Sequence, residues 1–325
     1  MFRARSTLVI SAIALTLATS AFSRFAAFAG PSGNATDFAK QIDIGGGRKL
    51  YLVCRGTVRV EQPTVILVSG YHDSSDPWIQ PEDLSLLPQS VGPSTLVGLA
   101  RTNHVCAYDR PGTLRYITGL PLTARSSPVT QPRTVKEIAL ELHTLLAVAK
   151  VPGPYILVGH SLGGLIVLFY ARTYPNEVRG IVFVDAFSPT VRTRLGSLWP
   201  LYRKVLNPPP ADEPIASLKE AASETVDLDK SIDEVQAAPP LRKMPLGVLT
   251  KTEPFRIRPG SLPPGITLSE IDNGYNGAQN YLVELAPTTP QIFATGSEHY
   301  IQLSQPDLVI NATQLVIRRA TAQTR

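Results

Sequence analysis

The feature that most restricts the fold is a series of short apolar runs, rich in β-branched residues, each closed by turn residues. Thr64-Val-Ile-Leu-Val precedes Ser69-Gly70, His104-Val-Cys-Ala-Tyr precedes Asp109-Arg-Pro-Gly, and Tyr155-Ile-Leu-Val precedes Gly159. Gly180-Ile-Val-Phe-Val precedes Asp185, and Leu246-Gly-Val-Leu-Thr and Gln291-Ile-Phe-Ala-Thr follow. A strand with one wet face alternates apolar and polar residues, whereas an unbroken apolar run belongs in a sheet covered on both sides. Helical patterns lie between the runs. One covers residues 134–146 behind a Thr134-x-x-Glu137 capping box, one covers 162–174 and stops before Pro175, and one covers 306–318. Gly45-Gly-Gly joins two further strand-like segments, 40–44 and 49–53, as a hairpin. The pattern predicts an α/β fold, a mostly parallel eight-stranded sheet with helices on both faces.

Residues 188–244 break that rhythm with Asn207-Pro-Pro-Pro, Asp212-Glu-Pro and Ala237-Ala-Pro-Pro around a helical segment near 215–226. Because the sheet resumes at 246, this insertion is expected to be a helical cap over the carboxyl edge of the sheet, not a linker. No internal repeat is present.

The first 29 residues place Arg3 and Arg5 ahead of an apolar run and end in Ala27-Phe-Ala before Gly30. That order is expected of a cleaved signal peptide. The apolar run of about 16 residues is shorter than the ~20 that span a bilayer, which makes an uncleaved membrane anchor the alternative. The mature chain, 30–325, is then expected to be exported, periplasmic or secreted, with no membrane span. Removing the segment takes away Arg3, Arg5 and Arg24 and no acid, so the net charge falls from +5 to +2. No Lys/Arg cluster supports a nucleic-acid partner. An oxidising compartment permits Cys54 and Cys106 to pair, and two buried free thiols are the other reading.

The chemistry concentrates at Gly159-His-Ser-Leu-Gly163, a G-x-S-x-G pattern between a buried strand and a helix. Such a turn strains Ser161 and exposes its hydroxyl, and the glycines leave room where side chains would clash. A serine needs a base to become a nucleophile. Of five histidines, His299 follows the 291–295 strand and precedes the final helix, where it can reach Ser161. His72, His104 and His143 read as structural, and His160 as a packing residue. The acid that orients the imidazole is Asp185, at the end of the 180–184 strand, or alternatively Glu253, two residues past the 246–250 strand. Asp185 is preferred because a strand's carboxyl end reaches the pocket directly. Asp109 is expected to shape its own turn and Asp307 to cap the last helix.

The chain here resembles the α/β-hydrolase family, in its bacterial exported, esterase- and lipase-like branch, over about residues 41–317. The resemblance rests on Ile66-Leu-Val-Ser-Gly-Tyr, Tyr108-Asp-Arg-Pro-Gly, Gly159-His-Ser-Leu-Gly-Gly, Arg179-Gly-Ile-Val-Phe-Val-Asp-Ala and Glu298-His-Tyr-Ile-Gln-Leu. It implies Ser161 as nucleophile and His299 as general base. It also implies an oxyanion hole at the backbone N–H groups of Tyr71 and Leu162, although Ser69-Gly70 stands where the family often has His-Gly. The family's sheet order sets its second and fourth strands side by side, which implies a disulfide between Cys54 and Cys106. The expected activity is a serine esterase working through an acyl-enzyme, without metal or organic cofactor, on a small-molecule ester with a hydrophobic acyl or aryl group. Cofactor-free haloperoxidase, C–C hydrolase and peptidase chemistry share the same triad, and a binding module without catalysis is the alternative from another class.

Overall fold

The computed structural model describes residues 37–79, 92–113, 115, 123–207, 223–257 and 260–323. The putting-together of the sheet follows the expected alternation. Its strands are β1 (Phe38–Gly45), β2 (Arg48–Arg55), β3 (Thr64–Val68), β4 (Val105–Tyr108), β5 (Tyr155–His160), β6 (Val178–Val184), β7 (Leu246–Lys251) and β8 (Gln291–Ala294). They form one eight-stranded sheet in the order β1-β2-β4-β3-β5-β6-β7-β8. The β1/β2 and β2/β4 pairs are antiparallel and every other pair is parallel.

The helices are α1 (Asp76–Ile79), α2 (Thr95–Ala100), α3 (Val135–Val148), α4 (Leu162–Thr173), α5 (Val191–Leu195), α6 (Trp199–Leu206), α7 (Leu228–Ala237), α8 (Leu268–Glu284), α9 (Ile301–Ser304) and α10 (Pro306–Ala322). Alternate residues of each central strand enter different cores, which is why the runs are apolar throughout. Ile66, Val68 and Leu157 pack with Ile138 of α3 and Leu165 of α4 on one face. Val65, Leu67, Ile156 and Val158 pack with Leu99 of α2 and Val316 of α10 on the other.

The capping box of α3 is formed, with Thr134 N–H donating to Glu137 (2.7 Å) and Glu137 N–H donating to Thr134 Oγ1 (3.4 Å). A second box, Thr267 with Glu270, opens the 17-residue α8, a helix absent from the pattern read above. Cys54 and Cys106 face each other directly in the β2/β4 register and form a disulfide with a Cα separation of 4.1 Å.

Two expectations are corrected. The Asp109 carboxylate does not serve its own turn: Oδ1 accepts from Ser75 N–H and Oγ (2.8 Å each) and Oδ2 from Arg125 (2.5 Å). Asp307 stands in the first turn of α10, but the N-cap is Gln305, with no side-chain cap hydrogen bond. Of the segment near 215–226, residues 223–226 are not helical, and Val226 bridges to Arg133; residues 215–222 lie outside the described residues, as do residues 1–29, which are expected to be a signal peptide. In the insertion, α7 packs against α3 and α4. No described helix is long and apolar enough to cross a membrane.

Candidate active site

The parallel strands end on one edge, and the turns leaving them carry the polar groups. Between β5 and α4, Ser161 is held at φ 49°, ψ −122°, a region that a residue with a Cβ rarely adopts. Tight neighbours enforce this. A Cβ on Gly159 would lie 2.6 Å from the Gly163 carbonyl oxygen, and one on Gly163 would collide with the Val68 carbonyl oxygen. The elbow is also tied to the next strand: Ser161 N–H donates to Val184 O (3.2 Å) and Phe187 N–H to Ser161 O (2.7 Å).

His299 follows β8 and precedes α9. Its Nδ1 lies 2.6 Å from Oδ2 of Asp185, which is fully buried at the end of β6 with φ 38°. The second oxygen of Asp185 accepts from Lys251 N–H (3.2 Å), so both carboxylate oxygens are engaged. Glu253 is exposed, and its side chain meets Thr252 (3.4 Å), not the imidazole. The structure thus brings His299 together with Asp185 and leaves Glu253 apart.

Ser161, His299, Tyr71 and Leu162 all border one cavity of about 300 Å³. Leu162 opens α4, and the first N–H groups of a helix have no partner within it. Apolar side chains from five regions line the remaining wall, among them Phe187 of the turn after β6, Tyr202, Leu206, Leu228, Phe255 and Ile271. Two of the cap's helices, α6 and the start of α7, therefore contribute, together with α8 and the turn after β7. The ring of Phe255 meets His299 edge-on at 4.8 Å.

Several residues here carried no signal in the sequence. The Tyr275 hydroxyl on α8 donates to the Asp185 carbonyl (2.8 Å) and interacts with the Ser161 side chain; burial, then the nearby Asp185, drives its pKa well above the usual range. Asp73 lies beyond the Tyr71 turn, with Oδ1 accepting from Tyr300 (3.3 Å) and Oδ2 3.7 Å from His160 Nδ1. Burial raises its pKa to about 7 against the opposing pull of Arg110 and His299. His160 is buried as expected of a packing residue, with Nε2 against His299 O (3.1 Å), and burial followed by the nearby His299 pushes its pKa well down. Among the described residues, one group of three side chains could approach a metal ion, Cys54, His104 and Cys106, but the disulfide consumes both sulfurs.

Residues 65–312 match the profile of the alpha/beta hydrolase family. The chain belongs to that family. Among its relatives, an uncharacterized protein of Schizosaccharomyces pombe is 30% identical over 155 residues, 43% of this chain and 26% of that protein. The chain therefore spans about a quarter of that relative's length. Among solved structures, a candidate lipase from Acinetobacter baumannii aligns with a TM-score of 0.57 at 17% identity, over 88% of this chain and 93% of that one. A thermophilic esterase from Thermogutta terrifontis aligns with a TM-score of 0.52 at 15% identity, over 87% and 99%. At such identities the likeness shows the shared fold.

Proposed function

We propose that this hydrolase cleaves ester-like bonds by acyl transfer. The observation that carries the reading is the 2.6 Å contact of His299 Nδ1 with a buried Asp185, on the cavity that the strained Ser161 also borders. An Nδ1–H held by a carboxylate leaves Nε2 free to accept a proton. Ser161 Oγ adds to the substrate carbonyl carbon while His299 Nε2 takes its proton, and the oxyanion is received by the N–H groups of Tyr71 and Leu162. His299 returns the proton to the leaving alkoxide, which departs as an alcohol. Water then adds to the acyl-enzyme by the same route, releasing the acid and restoring Ser161.

The apolar cavity wall favours an ester with a hydrophobic acyl or aryl group. Export is proposed from the first 29 residues, and the buried disulfide is consistent with an oxidising compartment. The test is Ser161→Ala, assayed on p-nitrophenyl esters of graded chain length and with a fluorophosphonate probe. The expected outcome is loss of both turnover and labelling; turnover equal to that of the unsubstituted chain refutes the mechanism.

A further inference from the structure

Beneath the Tyr71 turn lies a buried ion pair that the mechanism above does not use. The Arg110 guanidinium, fully buried, donates through Nη1 to Ser69 O (2.9 Å) and through Nη2 to Gly70 O (2.5 Å), the two carbonyls just before Tyr71. Its Nε donates to Glu224 Oε1 (2.5 Å), and its Nη2 also reaches Glu224 Oε2 (3.0 Å). The same Oε2 accepts from His72 N–H (2.7 Å), just after Tyr71. Burial opposes the charge of Arg110, but Glu224 more than restores it. Glu224 belongs to the insertion, and its own N–H is fastened to Gly112 O (3.0 Å). The Tyr71 side chain is held by the insertion as well: its hydroxyl donates to Asn207 and accepts from Val226 N–H (2.8 Å). The backbone on both sides of Tyr71, and its ring, are thus fixed by residues of the cap or by an arginine that a cap residue neutralises.

We infer that Glu224, through Arg110, is a positioning residue that aims the Tyr71 N–H at the oxyanion, so that the cap sets transition-state stabilisation in addition to enclosing substrate. The inference rests on the serine-hydrolase reading. A donor displaced by about an ångström can cost on the order of 100-fold in rate, and the loss falls on kcat when the contact is made only in the transition state.

The test uses the full chain with Glu224→Gln and, separately, Tyr71→Phe. The glutamine keeps the shape but turns an NH2 toward the donors of Arg110 or His72; the phenylalanine removes only the tether to Asn207 and Val226. Turnover of p-nitrophenyl butyrate is measured per fluorophosphonate-labelled site, alongside affinity for a phenylboronic acid, whose tetrahedral serine adduct needs the oxyanion hole. The expected result is a fall of about tenfold or more in kcat for Glu224→Gln, with KM within about threefold and a parallel loss of boronate affinity. A smaller parallel loss is expected for Tyr71→Phe. Unchanged kcat per labelled site and unchanged boronate affinity in both variants overturn the inference; should Glu224→Gln not fold, the same result in Tyr71→Phe suffices. If the unsubstituted chain turns over without labelling at Ser161, the serine-hydrolase reading itself fails, and this inference with it.

Discussion

Replacing Asp185 by asparagine isolates the task assigned to its carboxylate, because the structure dictates how the amide must sit. One side-chain oxygen of Asp185 accepts from Lys251 N–H at 3.2 Å and the other faces His299 Nδ1 at 2.6 Å. An asparagine keeps a single acceptor. With its oxygen retained by the immobile Lys251 N–H, its NH2 points at Nδ1 and makes that nitrogen the acceptor. The imidazole proton then moves to Nε2, the atom required to take the proton of Ser161. The loss of the right tautomer is worth roughly 10³–10⁴ in kcat, or about 4–5.5 kcal/mol of barrier. The assay is kcat/KM on a p-nitrophenyl ester, with circular dichroism to verify the fold and Glu253→Gln in parallel. Glu253→Gln is expected to stay within about twofold, because its side chain meets Thr252 on the surface. Asp185→Asn activity within about tenfold of the unsubstituted chain, or an equal loss in Glu253→Gln, refutes the reasoning.

Three further outcomes follow from the packing and electrostatics. The double substitution Cys54→Ala/Cys106→Ala opens a closure spanning 52 positions, and should cost about 4 kcal/mol in urea unfolding on the chain-entropy model while leaving turnover at 25 °C intact. Gly163→Ala forces a Cβ onto the Val68 carbonyl oxygen, so the thermal midpoint should fall by the equivalent of about 1–3 kcal/mol, with activity lost as the elbow shifts. Asp73 has its pKa raised from 3.8 to about 7. The folded state therefore holds a proton that the unfolded chain has already released, and stability declines as pH rises from about 4 to 7 and levels off above it. Asp73→Asn, which mimics the protonated form, should flatten that decline, and unfolding midpoints at pH 5 and pH 8 measure the difference; an unaltered slope contradicts the assignment.

The sheet was legible in the sequence because burial on both faces removes polar residues from the strands, leaving runs such as 64–68 and 180–184 that no surface element tolerates. The meeting of Ser161 and His299 at one cavity was legible for a related reason: each follows an apolar run, and the elbow additionally demands its glycines. Asp185 is preferred over Glu253 in the sequence only because it stands at the strand's very end; both follow strands that end on the same edge, and the difference that sets them apart lies in side-chain direction. α8 was missed because Asn273, Gly274, Asn276, Gly277 and Asn280 depress its helical pattern, although its Thr267-x-x-Glu270 box was a readable start. The pairing of Arg110 with Glu224 joins residues 114 positions apart, and no local periodicity encodes a contact of that range. The same holds for Asp109, whose partners Ser75 and Arg125 come from two other turns.

On the proposed mechanism, with the carboxylate beside His299 anchored at the end of β6, the turn after β7 handles no proton. Arg256 and Ile257 in that turn border the cavity, yet neither is part of the Ser161, His299 and Asp185 set. Substitutions at these two positions are therefore expected to reshape selectivity while the proposed Ser161, His299 and Asp185 relay is kept, which makes this short stretch the place where laboratory evolution of new substrate preferences should begin.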